Sequence, residues 1–382
     1  MKNATRFVGL DVHADTIAVA VAEEGRDGEV RQLGIIPNRP EAVGKLIRKL
    51  GAKGLRVCYE AGPTGYALYW QLVELGVACE VVAPTLVPVK AGDRVKTDRR
   101  DALKLARCYR AGELTAVWVP DPAHEALRDL VRARASAKKD QLRARHRLSK
   151  FLLRSGRRPP KETTAWGAKH MEWMRGLRFE HAPQQVTMVD YLGEVDHAAA
   201  RIERLERAID DALVAAPPAL RAVIDGLQAL RGVAKLTATT LAVEIGQFSR
   251  FDRPPKLMAY CGVIPSEDSS GKRRHQGAIT KSGNAHVRRV LFEAAWCYRH
   301  RPGRGAALKK RQEQLEPAVI EIATKAQHRL HRKYARLSIR GKPSQKVATA
   351  VARELLGFVW AIAVQVEHEQ AGQVDQALRP AA

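Results

Sequence analysis

Four carboxylates in the first third of the chain carry the plainest chemical signal. Asp11 lies in FVGLDVH, Glu60 ends LRVCYE, and Asp98 and Asp101 stand three apart in KTDRRDA. Side chains three apart share one face of a helix, and the positive end of a helix dipole favours acids in the first turn. Carboxylates gathered in one place repel each other unless divalent cations neutralise them. Hard oxygen ligands select Mg2+ or Mn2+. Two such ions about 4 Å apart can activate an attacking oxygen and stabilise a leaving one in phosphodiester chemistry. Taken singly, each acid has an ordinary role: Asp11 can end a strand, Asp98 can cap its helix, and Glu60 can pair with an arginine. The histidines, among them His13, His275 and His286, show no metal-ligand spacing. His13 falls on the same strand face as Asp11 but is not counted in the site.

A second constellation lies far along the chain, in LMAYCGVIPSEDSSGKRRHQGAITKSGNAHVRRVLFEAAW. A serine hydroxyl is a poor nucleophile unless a base, a metal or a positive field stabilises its alkoxide. Here Ser269 and Ser270 are followed at once by Gly271, Lys272, Arg273 and Arg274. The cations can also hold a phosphate, and the glycine lets backbone approach it. The ordinary reading is a solvated basic loop. Lys281, Arg288 and Arg289 read as phosphate contacts instead of catalytic groups.

The elements that must position these residues follow from periodicity. FVGLDV, TIAVAVA and EVRQLGII alternate with tight turns between them, which predicts three antiparallel strands. Helical spacing after Pro40, the strand LRVCYE, a helix in PTGYALYWQLVELG, the strand VACEVVAP and a helix in DRRDALKLARCYRAGE complete the order βββ-αβ-αβ-α. That is the order of the ribonuclease-H-like fold, a mixed sheet with helices on its faces, in which the ends of the first and fourth strands are adjacent. The last helix can then lay its carboxylates across them. GLD before an alternating strand also opens actin-like kinases, but their further glycine-rich phosphate loops are not visible.

Two long helices follow, at about 124–153 and 184–214; IERLERAIDDAL is heptad-like, so the pair forms an antiparallel hairpin or a dimerising coiled coil. SGRRPPKETTAWG between them reads as an exposed loop, with Trp166 and Trp173 as packing residues of this connector. Pro217 and Pro218 mark the next boundary, after which the chain reads mostly helical except between Gly262 and Gly283. The tail HEQAGQVDQALRPAA is expected to fray. The domains expected are therefore 1–123, 124–216 and 217–382, an α/β unit followed by α.

The formal net charge is +24 in 382 residues, which a polyphosphate partner would neutralise. The charge is segregated. Residues 1–89 balance at 10 Lys/Arg against 10 Asp/Glu, whereas the counts are 13 against 2 for 128–161, 12 against 1 for 270–311, and 8 against none for 325–346. Aromatics are only 5% of the chain, which disfavours an extended base-stacking platform. The five cysteines have neither CxxC nor Cys/His spacing and read as reduced thiols of a cytoplasmic protein. No signal peptide opens the chain, and no apolar run reads as long enough to span a bilayer, so no membrane partner is expected.

The combination GLDVH, YEAGPTG and KTDRRDA, then LRGVAKLTATTLAVEIG, then the serine segment resembles the DEDD transposases of the insertion-sequence family called "one-ten", with its "eleven-eleven" subgroup. The three stretches span roughly residues 6–300, in the family's order. The resemblance implies a ribonuclease-H-like (RuvC-like) N-terminal domain, a coiled-coil connector and a mainly helical C-terminal transposase domain. It implies that Asp11, Glu60, Asp98 and Asp101 bind Mg2+, and that a serine aligned on Ser270 attacks DNA to form a covalent phosphoserine link, with Ser269 directly beside it. It further implies DNA element ends and target as partners, a non-coding guide RNA (a bridge RNA) made from the element's flanks, a homo-oligomer (dimer or tetramer), and a prokaryotic, nucleoid-associated setting. LQALRGVAKLTATTLAVEIG resembles a helix-hairpin-helix that keeps Gly232 but has Ala234 where a second glycine is common, so its turn either binds phosphate or is structural. The alternative enzyme is a Holliday-junction resolvase or nuclease using metal-activated water; a non-enzymatic one is a nucleic-acid packaging protein.

Overall fold

The computed structural model describes residues 5–89, 92, 97–271 and 273–377. It divides into two compact units, Met1–Val119 and Pro120–Ala382. Lys272 lies outside the described residues.

In the first unit, strands β1 (Arg6–Val12), β2 (Thr16–Glu23) and β3 (Val30–Pro37) pair antiparallel, while β4 (Leu55–Glu60) and β5 (Ala78–Val82) join β1 in parallel. The sheet order is β3-β2-β1-β4-β5. Helices α1 (Pro40–Leu50) and α2 (Ala67–Glu74) cover one face, and α3 (Asp98–Ala111) the other. Helix α2 starts later than its apolar pattern suggests because Gly65, at φ +67°, turns back to bond Gly62, and Tyr59 Oη donates to Gly65 O.

The alternation TIAVAVAE makes the two faces unlike. Ile17, Val19 and Val21 pack with Val43, Ile47 and Leu72 under α1 and α2. Ala18, Ala20 and Ala22 form the other face against Ala102 and Ala106 of α3. Gly9 of β1 completes that thin face: a Cβ there would overlap the backbone of Ala102 and Ala106. Small residues thus let α3 lie directly on the sheet. Arg110 ties the far end of α3 to Glu23 O (3.1 Å) and Gly28 O (2.7 Å).

The second unit begins with an intramolecular antiparallel hairpin of α4 (Pro122–Arg154) and α6 (Ala182–Ala215), with short α5 (Ala168–Gly176) between. Met188, Val195, Ile202 and Ile209 are buried at intervals of seven, the heptad seam expected of α6. Ion pairs Arg134–Glu206, Arg201–Asp140 and Arg147–Glu194 fix the antiparallel register. Residues 155–167 form the expected connecting loop, and Trp166 and Trp173 pack on the hairpin core. The near ends of both helices (Leu127, Val131, Ile209) enter the core of the helices that follow.

Those helices are α7 (Pro218–Leu227), α8 (Lys235–Ile245), α9 (Pro254–Tyr260), α10 (Ala285–Ala295), α11 (Ala306–Gln312), α12 (Pro317–Ile339) and α13 (Ser344–Ala377), interrupted by a two-stranded hairpin of β6 (Pro265–Glu267) and β7 (Gln276–Ile279). Helix α13 runs on to Ala377, into the tail expected to fray, and is anchored ahead of it where Glu367 accepts from Phe248 N (2.8 Å) and Ser249 N (2.7 Å). One sequence expectation is corrected here, on apolar length. Among the described residues, one helix is long and apolar enough to cross a membrane, Ser344–Gly372. Its Val351, Leu355, Val359 and Ile362 are fully buried among α7, α9, α10 and α12, so this is the central core helix of the unit.

Gly232, in the turn between α7 and α8, has φ +81°, and a Cβ there would come 2.6 Å from Ala294 O. It faces α10, so Gly232 has a packing role in that turn. All five cysteines are free thiols.

Candidate active site

The carboxylates come from three elements. Asp11 sits opposite Ala18 in the β1–β2 register and so shares the alanine face under α3. Thr97 is the N-cap of α3, its Oγ accepting from Arg100 N at 3.4 Å. Asp98 is therefore the first helical residue and not the cap, so its carboxylate is available to the end of the central strand. Close packing of α3 on Gly9 carries Asp98 to Asp11. Leu10 is paired with Tyr59, which sets Glu60 level with Asp11 at the end of the adjoining strand.

An expectation fails at His13. Its Nε2 lies 3.3 Å from Asp11 Oδ2 and 3.5 Å from Asp98 Oδ1, and the ligand atoms of these three residues all lie within 4.8 Å of one another. The β1–β2 turn puts it there: His13 N donates to Thr16 O at 2.8 Å, and Asn38 Nδ2 to His13 O at 2.8 Å. Glu60 and Asp101 stand outside this tight group. Asp101 lies one turn along α3 and is close enough to act on Asp11. Burial pushes the Asp11 carboxyl above its ordinary value; the nearby His13 opposes this, while Asp101 and Asp98 reinforce it. The donors are mostly hard oxygens on a partly buried acid crowded by like charges, and such a set fits a divalent cation. Spacing missed His13 because the turn, not a ligand motif, brings it in.

The serine segment forms an exposed arm. Ser270 and Arg273 bond each other's backbone at 3.1 Å in both directions around the tip, where Gly271 has φ +56° as a tight hairpin turn requires. The two serines differ. Ser269 Oγ donates to Glu267 Oε1 at 3.1 Å and accepts from His275 N at 3.3 Å. The exposed Ser270 hydroxyl has no hydrogen-bond partner among the described residues. By strand alternation Ser270 shares its face with Arg273. Arg274 is turned to the other face, held by Glu267 at 3.2 Å. Gln276, Arg274 and Ser269 all donate to Glu267 and keep its carboxyl below the ordinary value.

The neck of the arm is tightly made. A Cβ at Gly262 would overlap Ser282, and one at Gly283 would overlap Tyr260 O. Arg288, expected at a phosphate, instead directs Nη1 to Cys261 O (3.1 Å), Ser282 O (2.7 Å) and Gly283 O (3.0 Å), tying the neck together. Arg289 pairs with Glu293 at 3.2 Å one turn along α10, and Lys281 is exposed at φ +57°.

Below the neck lies a buried network that no motif announced. The Glu244 side chain, fully buried, takes Arg132 Nε and Nη2 at 2.8 Å each and Asn284 Nδ2 at 2.6 Å. Asn284 Oδ1 in turn caps α10, accepting from His286 N and Val287 N. Burial works to raise the Glu244 carboxyl, but the Arg132 and Asn284 contacts outweigh it, and the group is held below its ordinary value. A lone acid inside the apolar run TATTLAVEIG was the available signal.

An acid-bearing α/β unit joined to a basic helical unit fits an enzyme that acts on a nucleic-acid backbone. Residues 8–155 match a DEDD family model described as "Transposase", and residues 225–311 match one described as "Transposase IS116/IS110/IS902 family". The chain is 45% identical to the candidate transposase y4qE of Sinorhizobium fredii, over 94% of this chain and 88% of that protein. It is 33% identical to the transposase for insertion sequence element IS1533 of Leptospira borgpetersenii, over 88% and 97%. A pilin gene-inverting protein of Moraxella bovis is 25% identical over 71% of this chain and 67% of its own length. The chain belongs to the IS110/IS116 family of insertion-sequence transposases, and DNA is its partner.

Proposed function

We propose that this transposase cuts and rejoins DNA by transesterification through Ser270, assisted by Mg2+ or Mn2+ held by Asp11, Glu60, Asp98 and Asp101. The observation that carries the proposal is the meeting of Asp11 and Asp98 at the end of β1, within the 4.8 Å group that includes His13. The sheet order supports a ribonuclease-H-like reading of the N-terminal unit. A divalent cation there supplies Lewis-acid stabilisation of charge on the phosphate oxygens.

The chain's own residues do the rest. Ser270 Oγ attacks phosphorus, one backbone P–O bond breaks, and the serine proton ends on the departing hydroxyl, leaving a phosphoserine ester and a free DNA end. Rejoining is the same exchange in reverse, so no external energy source enters. Ser270 suits the nucleophile better than Ser269, whose hydroxyl is already committed to Glu267. Arg273, across the tip, suits a contact to the scissile phosphate; Lys272, Arg274, Lys281 and Arg289 belong to the surrounding nucleic-acid surface. A bridge-type guide RNA and a homo-oligomer belong to the same reading.

The test is covalent trapping with element-end DNA, flanking RNA and Mg2+, comparing wild type with Ser270→Ala and Ser269→Ala. An adduct lost only in Ser270→Ala is expected. Metal-dependent nicking by wild type without an adduct would make water the nucleophile and favour the resolvase reading.

A further inference from the structure

Helix α12 presents a charged face that the proposed chemistry does not use. Lys325, Arg329, Arg332 and Arg336 recur at intervals of four, three and four, with Arg340 four further on. At 100° per residue they form one stripe. It lies opposite the buried Ala323, Gln327, Leu330 and Tyr334, and so points squarely away from the core. The stripe runs about 22 Å at the helical rise.

Two of the five cations have acidic partners. Lys325 pairs with Glu321 at 2.6 Å, and Arg329 shares Glu354 of α13 with Lys333. Arg332, Arg336 and Arg340 have no acidic partner among the described residues, nor do Lys342 and Lys346 in the turn that follows. Like charges one turn apart destabilise an isolated helix. The helix dipole repays cations only in the last turn, where Arg336 and Arg340 lie. Arg332 stands about two turns from that end and Lys325 nearly four, so capping electrostatics does not explain the stripe.

We infer that the outward face of α12 is a sequence-independent contact for the phosphate backbone of duplex DNA, separate from the serine arm. Cations about one helical turn apart along some 22 Å can follow roughly six base-pair steps of backbone. The stripe contains no aromatic side chain on which unpaired bases could stack. Thr324, beside it, returns its hydroxyl to Ile320 O at 2.8 Å, so it does not offer that donor to a ribose 2′-hydroxyl. These features favour duplex DNA over single strands and over RNA. The inference rests on the family's DNA partner and not on the serine chemistry.

The test uses the full chain with two DNA duplexes, one with the element end and one scrambled, and with one RNA from the element's flank, in binding titrations across a salt series. Arg332→Gln/Arg336→Gln/Arg340→Gln is compared with wild type and with the triple Arg→Lys variant, which keeps the charge. The Gln variant should lower the slope of log affinity against log salt by roughly 2 to 3, about 0.9 per lost phosphate contact, equally on both duplexes. The Lys variant should keep the slope; if it lost as much, packing and not charge would be at work. An unchanged slope overturns the inference, as does a loss confined to the element-end duplex, which would mean base reading. A loss confined to RNA would assign the face to RNA instead. Because the readout is binding, a Ser270→Ala background should give the same result, and failure of the serine mechanism would leave it standing.

Discussion

Asp11 reaches its place on an inner strand of a five-stranded sheet, with a helix pressed onto alanine and glycine beside it. Ser270 reaches its place at the tip of a two-stranded arm exposed along most of its length. The first site is positioned by absence of bulk: Gly9, Ala18 and Ala20 leave room for α3, and α3 delivers Asp98 and Asp101. The second is positioned from below, by the Arg288 tie at the neck and the Glu244–Arg132–Asn284 network beneath it. A ligand set for a cation needs its oxygens held at fixed separations, and a thin packed layer holds them. On the proposed mechanism, a serine that must reach a DNA backbone would gain from standing clear of the surface. The difference predicts that the two regions will fail separately and in different ways.

The largest effect is expected at the carboxylates. Asp11→Ala should lower strand cleavage by about a thousandfold or more, while salt-sensitive DNA binding stays nearly intact. Equal collapse of both would make Asp11 a folding residue and remove the contrast.

Next comes the packing that carries α3. Gly9→Ala places a methyl against the backbone of Ala102 and Ala106. A cost of roughly 1–3 kcal/mol is expected from overpacking, together with weaker Mn2+ binding as Asp98 is displaced from Asp11. Calorimetric titration with Mn2+ and thermal melting measure the two effects; normal Mn2+ affinity would show that close approach of α3 does not set the site.

The network under the arm should give an effect of its own sign with pH. Breaking a fully buried ion pair costs about 3–5 kcal/mol; Arg132 is half exposed, and Glu244→Gln keeps two of the contacts in neutral form, so the cost should fall below the lower end. The folded carboxyl of Glu244 is held below its ordinary value. Its contribution is therefore fully present above the unfolded pKa and is lost as pH falls through the folded one. The gap in melting temperature between wild type and Glu244→Gln should be widest near neutrality and narrow below about pH 4. A gap independent of pH would mean that packing, not charge, makes the network. Cleavage should fall while Mn2+ binding is spared, whereas Gly9→Ala weakens Mn2+ binding.

Much of this protein was legible in the chain. The alternation TIAVAVAE, the turns around it and the apolar spacing of the helices determined the βββ-αβ-αβ-α order, because strand and helix periods differ and each must bury its own face. The heptad-like spacing in IERLERAIDDAL likewise announced a helical seam, while its pairing within the chain as a hairpin came from the contacts of α4 with α6. The carboxylates and the serines were visible as residue types at telling places, and the family motifs gathered them into one reading.

Tertiary structure decided the partners. Whether Asp98 caps its helix or faces Asp11 turned on Thr97 taking the cap. His13, two residues after Asp11 on the same strand face, entered the acid group because the β1–β2 turn holds it there. Arg288 and Arg289 look alike in sequence, yet one ties the arm's neck and the other pairs along its helix. Glu244 is tolerated in an apolar helix only because Arg132, 112 residues away, and Asn284, 40 residues away, meet it there. Local periodicity fixes which face a residue occupies; which charge waits opposite that face is set by contacts between distant segments, and these exist only once the chain has closed on itself.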